Sequence, residues 1–200
     1  MKVIRGEEQA VHEWGGGQTR ELAIGPEGAT YAKRDFAWRL STATITSSPS
    51  SFTPLKGYRR VTVVTRGAIT LIHEGHHRAH LTPYLSDTYS GDWQTQSSGV
   101  GEDFNVMVAA GIDEVVQIIW VSEGAEPLCV RRDGDIVALY VPQGEVLVSS
   151  ESSEYQVFGG DLALLTSPSK GSGEMAITWS NGAPELAVIL VQLHCKEQAS

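Results

Sequence analysis

Polar and apolar side chains alternate through Asp103-Phe104-Asn105-Val106-Met107. In an extended strand successive side chains point to opposite faces, so Asp103, Asn105 and Met107 share one face. Phe104 and Val106 share the other face, which has to be buried against a second layer of structure. The stretch therefore predicts a β-strand whose polar face lines a pocket.

Residues 36–43 show the same alternation, with large apolar side chains at Phe36, Trp38 and Leu40. Arg39 and Ser41 lie on the opposite face, next to small alanines. A guanidinium, a carboxylate and a carboxamide brought together inside a barrel would form a small polar site. The two stretches together favour a β-barrel with a polar interior.

Short β-rich runs separated by Gly, Pro, Ser or Asp recur along the whole chain, which is typical of a β-sandwich or β-barrel. No convincing stretch has the apolar spacing of an amphipathic helix, so the chain is predicted to be all-β with very little helix. The clearest predicted strands are Arg60–Thr65, Ala68–His73, Val115–Val121, Ile136–Val141, Glu145–Ser149, Leu162–Ser167, Glu174–Trp179 and Leu186–Leu193.

Turn residues predict how some of these strands connect. Arg66-Gly67 is a natural tight hairpin turn between the first two predicted strands, and Gly75 opens a second reversal. Polar residues predict surface loops at Thr44–Pro54 and at Asp87–Glu102.

A domain boundary is expected near residues 109–114, where Gly111 follows the alternating stretch. Residues 1–110 are predicted to form one β-barrel and residues 111–200 a second, related one. We expect N-terminal strands to cross into the second barrel. The second half offers no cluster of catalytic side chains, so it is predicted to be structural or to form the interface of a homodimer.

Composition limits the classes of function. The 200 residues carry a formal net charge of −9 and no basic stripe, which opposes binding to nucleic acid. No signal peptide and no membrane-spanning segment is recognisable, so a cytoplasmic protein without a membrane partner is expected. Cys129 and Cys195 are expected to be buried thiols in a reducing compartment, with a disulfide as the less favoured alternative.

Five ordered motifs within about the first 110 residues resemble the HutD/Ves family. The motifs are Trp14-Gly15-Gly16-Gly17-Gln18-Thr19, Phe36-Ala37-Trp38-Arg39-Leu40-Ser41-Thr42-Ala43, Ser51-Phe52-Thr53 with Gly57-Tyr58-Arg59-Arg60, Gly91-Asp92-Trp93, and Asp103-Phe104-Asn105-Val106-Met107.

The resemblance implies a bicupin, that is, two packed double-stranded β-helix (jelly-roll) barrels in one chain. It also implies a link to histidine utilisation, in which the family is proposed to bind a pathway intermediate and restrain the pathway. No firm enzymatic activity comes with it. Gly15 departs from the family pattern, since relatives often have Ser or Asn there.

Arg39 and Arg60 are the main candidates for ligand binding, because a planar guanidinium suits a carboxylate. Asn105 and Asp103 are candidates for orienting the ligand. The alternative is an ion pair between Arg39 and Asp103 that only holds the strands together. An arginine beside Asp103 would depress its pKa, which argues against a general base there.

Further candidates would form the rest of the pocket. Trp14 or Phe104 would form one wall of the pocket. Trp14 is followed by a run of glycines, and the alternative for this segment is a plain structural turn. Ser41 and Thr19 are candidates for polar contacts. No cofactor is expected.

His73, His76, His77 and His80 make the densest set of potential metal ligands. They lack the H-x-H spacing of metal-binding cupins and surround the predicted turn at Gly75. A solvated turn that picks up stray metal is the favoured interpretation, so no functional metal is predicted.

The leading hypothesis is a cytoplasmic sensor or regulator that binds a small carboxylate metabolite, such as urocanate or a formylglutamate-like compound. One alternative is a cupin-type enzyme, either an isomerase or a metal-dependent oxygenase. Another is a ligand-free, stress-related structural protein.

Overall fold

A computed structural model describes residues 1–150, 153–166 and 173–196. The chain divides into two compact units. Gln9–Ile112 form the first unit, and Met1–Glu8 together with Asp113–Ser200 form the second unit. The N-terminal residues therefore belong to the same unit as the C-terminal half.

The described residues confirm the all-β prediction, since their helical structure is one 3-10 turn at Gly6–Glu8. The strands are β1 (Lys2–Ile4), β2 (Val11–Trp14), β3 (Gly17–Gly25), β4 (Trp38–Ile45), β5 (Ser50–Phe52), β6 (Tyr58–His73), β7 (Arg78–Leu81), β8 (Ser86–Ser90), β9 (Thr95–Ala109), β10 (Ile112–Ser122), β11 (Leu128–Arg131), β12 (Ile136–Tyr140), β13 (Glu145–Ser150), β14 (Ser153–Phe158), β15 (Leu162–Thr166), β16 (Glu174–Asn181) and β17 (Glu185–Cys195).

A single antiparallel sheet makes up the first unit, in the order β2-β3-β4-β9-β6-β7, with β5 paired to β9 and β8 to β6. The long strands β6 and β9 lie at its centre. Their alternation puts Phe104 and Val106 on a buried apolar face, as predicted from the sequence, and Val61 lies on the same face. Arg60 and Asn105 project from the opposite face, where the candidate site lies.

The predicted hairpin turn at Arg66-Gly67 is wrong. Strand β6 continues through these residues, and its pairing with β9 shifts register between Val64 and Arg66, which marks a β-bulge. Gly67 has a φ of +77°, and a Cβ there would lie 2.5 Å from the Val100 carbonyl oxygen. Glycine thus serves the close approach of two strands rather than a chain reversal.

The predicted loop at Asp87–Glu102 is largely wrong, and the one at Thr44–Pro54 is wrong only in part, since residues 46–49 and 53–54 lie outside strands. Asp87–Glu102 contains most of β8 and the first half of β9, and Thr44–Pro54 contains the end of β4 and all of β5. Polar residues occupy strands there because strand pairing satisfies their backbone groups. The reversal at Gly75 is confirmed, since β6 and β7 pair across it.

The described strands of the second unit form two sheets, ordered β1-β15-β12-β17-β10 and β11-β16-β13-β14. Its aliphatic core includes Leu139, Val148, Ile177 and Leu190. The predicted strand Leu162–Ser167 corresponds to β15, and Ser167 lies outside the described residues.

Both cysteines are unpaired and exposed, so the expectation of buried thiols is wrong. Within the described ranges, no helix has the length and apolar character needed to span a membrane.

Candidate functional site

A cavity of about 590 Å³ opens on the polar face of the first unit. Side chains from three neighbouring strands, β4, β9 and β6, line one side of it, and the strand pairing aligns them in rows across the sheet. The first row contains Arg39, Met107 and Arg60. The next row contains Ser41 and Asn105, and the third contains Asp103. This volume suits a small organic molecule.

The two arginines, which are distant in sequence, both line the cavity. Arg39 is almost completely buried and donates from Nε to Oε2 of Glu21 at 2.7 Å and from Nη1 to Oγ of Ser41 at 2.9 Å. Its Cζ lies 4.5 Å from the centre of the Tyr31 ring. Arg39 therefore forms an ion pair with Glu21, and not with Asp103 as the sequence-based alternative proposed.

Arg60 lies in a different environment. Its Cζ is 5.2 Å from the ring centre of Phe52 and 5.3 Å from that of Tyr89, so two aromatic rings flank the guanidinium. The side chain is buried, and its Nε has no hydrogen-bond partner among the described residues. An unsatisfied donor in a buried cation costs free energy unless a ligand or water accepts from it. Arg60 is thus the stronger anchor for an anion.

Asp103 is almost completely buried, and burial raises its pKa from 3.8 to about 7. The hydrogen bond from Asn105 and the positive charge of Arg60 act in the opposite direction, but they are the smaller effects. The predicted depression of this pKa is therefore wrong, because desolvation outweighs the neighbouring arginine. The carboxyl group can change protonation state near neutral pH.

A directed hydrogen-bond chain orients the amide of Asn105. Oγ1 of Thr62 donates to Oδ1 of Asn105 at 2.9 Å, and the Asn105 amide nitrogen donates to the Asp103 carboxylate. The hydroxyl of Tyr89 lies 3.1 Å from Oγ1 of Thr62 and can donate to it. This chain fixes which end of the amide faces Asp103.

The cavity lining includes most of the predicted site residues: Arg39, Arg60, Asn105, Asp103, Trp14, Ser41 and Thr19. Phe104 is the exception. It is fully buried on the opposite face of β9, so its prediction as a cavity wall is wrong. The alternation of the strand explains this, because Phe104 follows Asp103 and must point the other way.

Sequence reasoning did not single out Phe52, Thr62, Tyr89 or Tyr31 as site residues. Thr62 was detectable, because it lies two residues from Arg60 in a predicted strand and shares its face. Tyr89 was hidden by the incorrect loop prediction, and the stacking of Phe52 on Arg60 depends on strands that pair at long range.

The histidine cluster is only partly a solvated turn. His73 is buried and, with His77 and Asp87, forms a group whose potential ligand atoms lie within 4.8 Å of one another. His76 stacks on Trp93 at a centroid distance of 3.8 Å, and His80 contacts Thr70 through Nδ1. The expectation of a solvated turn is therefore wrong for His73.

Comparisons with solved structures identify the fold. A conserved protein of unknown function from Pseudomonas aeruginosa PAO1 aligns over 96% of this chain and 98% of its own, with 24% identity and a TM-score of 0.84. HutD from Pseudomonas fluorescens SBW25, solved in a formate condition, aligns over 98% and 99%, with 23% identity and a TM-score of 0.77.

A cupin 2 conserved barrel domain protein from Leptotrichia buccalis aligns over 96% of this chain and 95% of its own, with 10% identity and a TM-score of 0.53. These likenesses confirm the predicted cupin-like fold. No curated protein sequence matches the chain significantly. The HutD family model matches residues 6–182, so the chain belongs to the HutD family.

Proposed function

We propose that this chain is a cytoplasmic sensor or regulator that binds a small carboxylate metabolite in the cavity of its first unit. The observation that carries the proposal is Arg60, a buried guanidinium that lines the cavity and whose Nε has no hydrogen-bond partner among the described residues. A carboxylate placed against the guanidinium would accept charge-assisted hydrogen bonds from it and balance its charge.

The neighbouring groups support binding of a carboxylate. Asn105 offers an amide group that hydrogen bonds hold in one orientation. Aromatic side chains line the cavity beside it, namely Phe52, Tyr31 and Trp14. A charge-assisted hydrogen bond contributes about 1.5–3 kcal/mol, so two or three of them give micromolar affinity at best after the cost of association. Such an affinity suits an abundant metabolite.

The name of the HutD family suggests intermediates of histidine utilisation as the first candidates to test. Urocanate and formylglutamate both carry carboxylates and are small enough for the cavity. A regulator would respond to their concentration by binding them without turnover.

Isothermal titration calorimetry tests the proposal with urocanate, formylglutamate, histidine, glutamate and formate, each with and without a chelator. We expect at least one to bind wild type and Arg66→Ala, and to bind Arg60→Ala much more weakly. Arg66 is a matched control because it lies on the same strand but is highly exposed, next to Glu102. Binding that survives Arg60→Ala unchanged would refute the cavity assignment.

One observation favours a second candidate, an enzyme that uses acid–base chemistry. Burial raises the pKa of Asp103 to about 7, which suits a group that gives and takes protons at neutral pH. Nuclear magnetic resonance of each candidate ligand with the protein in D₂O tests this. Isomerisation or deuterium incorporation that Asp103→Asn abolishes would favour the enzyme over the sensor.

A further inference from the structure

A tight turn in the first unit brings two histidines together. The backbone N–H of His73 donates to the carbonyl of His77 at 2.9 Å, and that of His76 donates to the carbonyl of His73 at 3.0 Å. Gly75 has a φ of +74°, which closes the turn. The imidazole rings of His73 and His77 lie 4.6 Å apart, centre to centre.

Asp87, on the neighbouring strand β8, faces both rings. Nε2 of His73 is 2.8 Å from Oδ2 of Asp87, and Nε2 of His77 is 3.0 Å from the same oxygen. Three atoms that are each good ligands for a transition metal therefore converge on one point. Two of these ligands belong to one turn, and the third belongs to strand β8. Because β8 pairs with β6, the backbone fixes the relative positions of the three groups.

The second nitrogen of His73 also has a partner. Nδ1 lies 2.9 Å from Oγ1 of Thr95, and that hydroxyl is 3.5 Å from the carbonyl oxygen of Trp93. When Nδ1–H donates to Thr95, and Thr95 in turn donates to Trp93, Nε2 is the unprotonated nitrogen and its lone pair is available to a metal ion between His73 and Asp87. Metal-binding histidines are commonly held in this way by a hydrogen bond from the other ring nitrogen.

We propose that His73, His77 and Asp87 bind one divalent first-row transition-metal ion, with Zn²⁺ as the reference ion. Zinc–nitrogen bonds of about 2.0–2.1 Å place tetrahedral ligands about 3.4 Å apart. Each histidine nitrogen, now 2.8 or 3.0 Å from Oδ2 of Asp87, therefore has to move only about half an ångström away from that oxygen. His77 is partly exposed and can make this adjustment. The same exposure leaves a coordination position for water.

The metal site is separate from the cavity. His73, His77 and Asp87 are absent from its lining, so the proposal does not depend on carboxylate binding. Without metal, the two imidazoles and the carboxylate can form an ordinary hydrogen-bonded group. The experiment has to distinguish these two roles.

Calorimetric titration of Zn²⁺ into untagged, chelator-treated protein tests the site. We expect one equivalent to bind wild type, and His77→Gln and Asp87→Asn to weaken binding at least about 10-fold. His80→Gln is the matched control, because His80 lies on the same hairpin but hydrogen bonds to Thr70 instead. It should bind like wild type.

X-ray absorption of zinc-loaded wild type gives a second measurement that does not depend on how the variants fold. It should detect two histidine nitrogens and additional oxygen ligands. A wild type that binds no zinc, or whose bound zinc has fewer than two histidine ligands, would overturn the proposal. Equal zinc affinity in wild type and in folded His77→Gln would do the same.

Discussion

Arg39 donates a 2.7 Å hydrogen bond from Nε to the carboxylate of Glu21, so one cavity arginine already has a negative partner. Arg60 lies in the same row of side chains across the sheet. It is instead flanked by aromatic rings, and its Nε has no hydrogen-bond partner in the described part of the chain. The two guanidinium groups are therefore not equivalent. A carboxylate ligand should depend more on Arg60 than on Arg39.

Substitutions around the two arginines should move carboxylate affinity in opposite directions. Arg60→Ala should lower it about 10–100-fold, because a charge-assisted hydrogen bond is lost. Glu21→Gln should raise it, since the positive charge of Arg39 then becomes available to the ligand. Calorimetry on the three proteins measures both effects, and a loss of affinity in Glu21→Gln would contradict the assigned pairing.

Carboxylate affinity should rise as the pH falls from 8.5 to 6. Burial raises the pKa of Asp103 to about 7, so the group is neutral at the acidic end of this range and charged at the basic end. The charged form repels an anion and competes for Arg60. We expect about a 10-fold change, the size of a partly screened charge interaction. The Asp103→Asn variant should bind the carboxylate with little dependence on pH. If this variant kept the pH dependence of wild type, another group would be its source.

Asp103 should also make the protein less stable at higher pH. Its pKa in the folded state, about 7, exceeds its ordinary value of 3.8, so the folded form binds more protons between these values. The free energy of unfolding therefore falls as the pH rises through this window, by on the order of a few kcal/mol. Urea denaturation at pH 5 and pH 8 measures the change.

Asp103→Asn should remove most of this stability difference. Glu102→Gln provides the control, because Glu102 is the neighbouring carboxylate on β9 and is partly exposed, whereas Asp103 is buried. If both variants keep the wild-type difference, Asp103 is not its source.

Two adjacent glycines should respond differently to alanine. A Cβ at Gly16 would lie 2.1 Å from the ring of Trp14, whereas a Cβ at Gly15 meets nothing within 4 Å. Gly16→Ala should displace the Trp14 ring, lower the free energy of unfolding by about 1–3 kcal/mol and weaken ligand binding. Gly15→Ala should leave both unchanged. Thermal unfolding measures the stability of the two variants, and calorimetry measures their ligand affinity. Equal stability and equal affinity in the two variants would argue against a Trp14 ring that packs on Gly16 and lines the cavity.

Several parts of the site were predictable because a strand has a two-residue period. Arg39 with Ser41, and Asp103 with Asn105, were placed on common faces from alternation alone, and all four line the cavity. The same rule excludes Phe104, although the sequence-based interpretation proposed it as a wall. The alternation of the strand was enough to exclude Phe104, so this error was avoidable from the sequence.

Other features depended on contacts between distant segments. Arg66-Gly67 has the composition of a turn, yet pairing with β9 draws both residues into one continuous strand. Asp87 was assigned to a loop, although β8 pairs with β6 and places its carboxylate beside His73. Local composition does not contain these pairings, because they arise from residues 14 or more positions apart.

The sequence by itself determined the all-β class and the side chains that share each strand face, since both follow from local periodicity. Only the tertiary structure decided that Glu21 is the partner of Arg39, that Asp103 titrates near neutral pH, and that His73 meets Asp87. The reason is physical: strand faces are set by backbone geometry, whereas ion pairs and pKa values depend on register and burial.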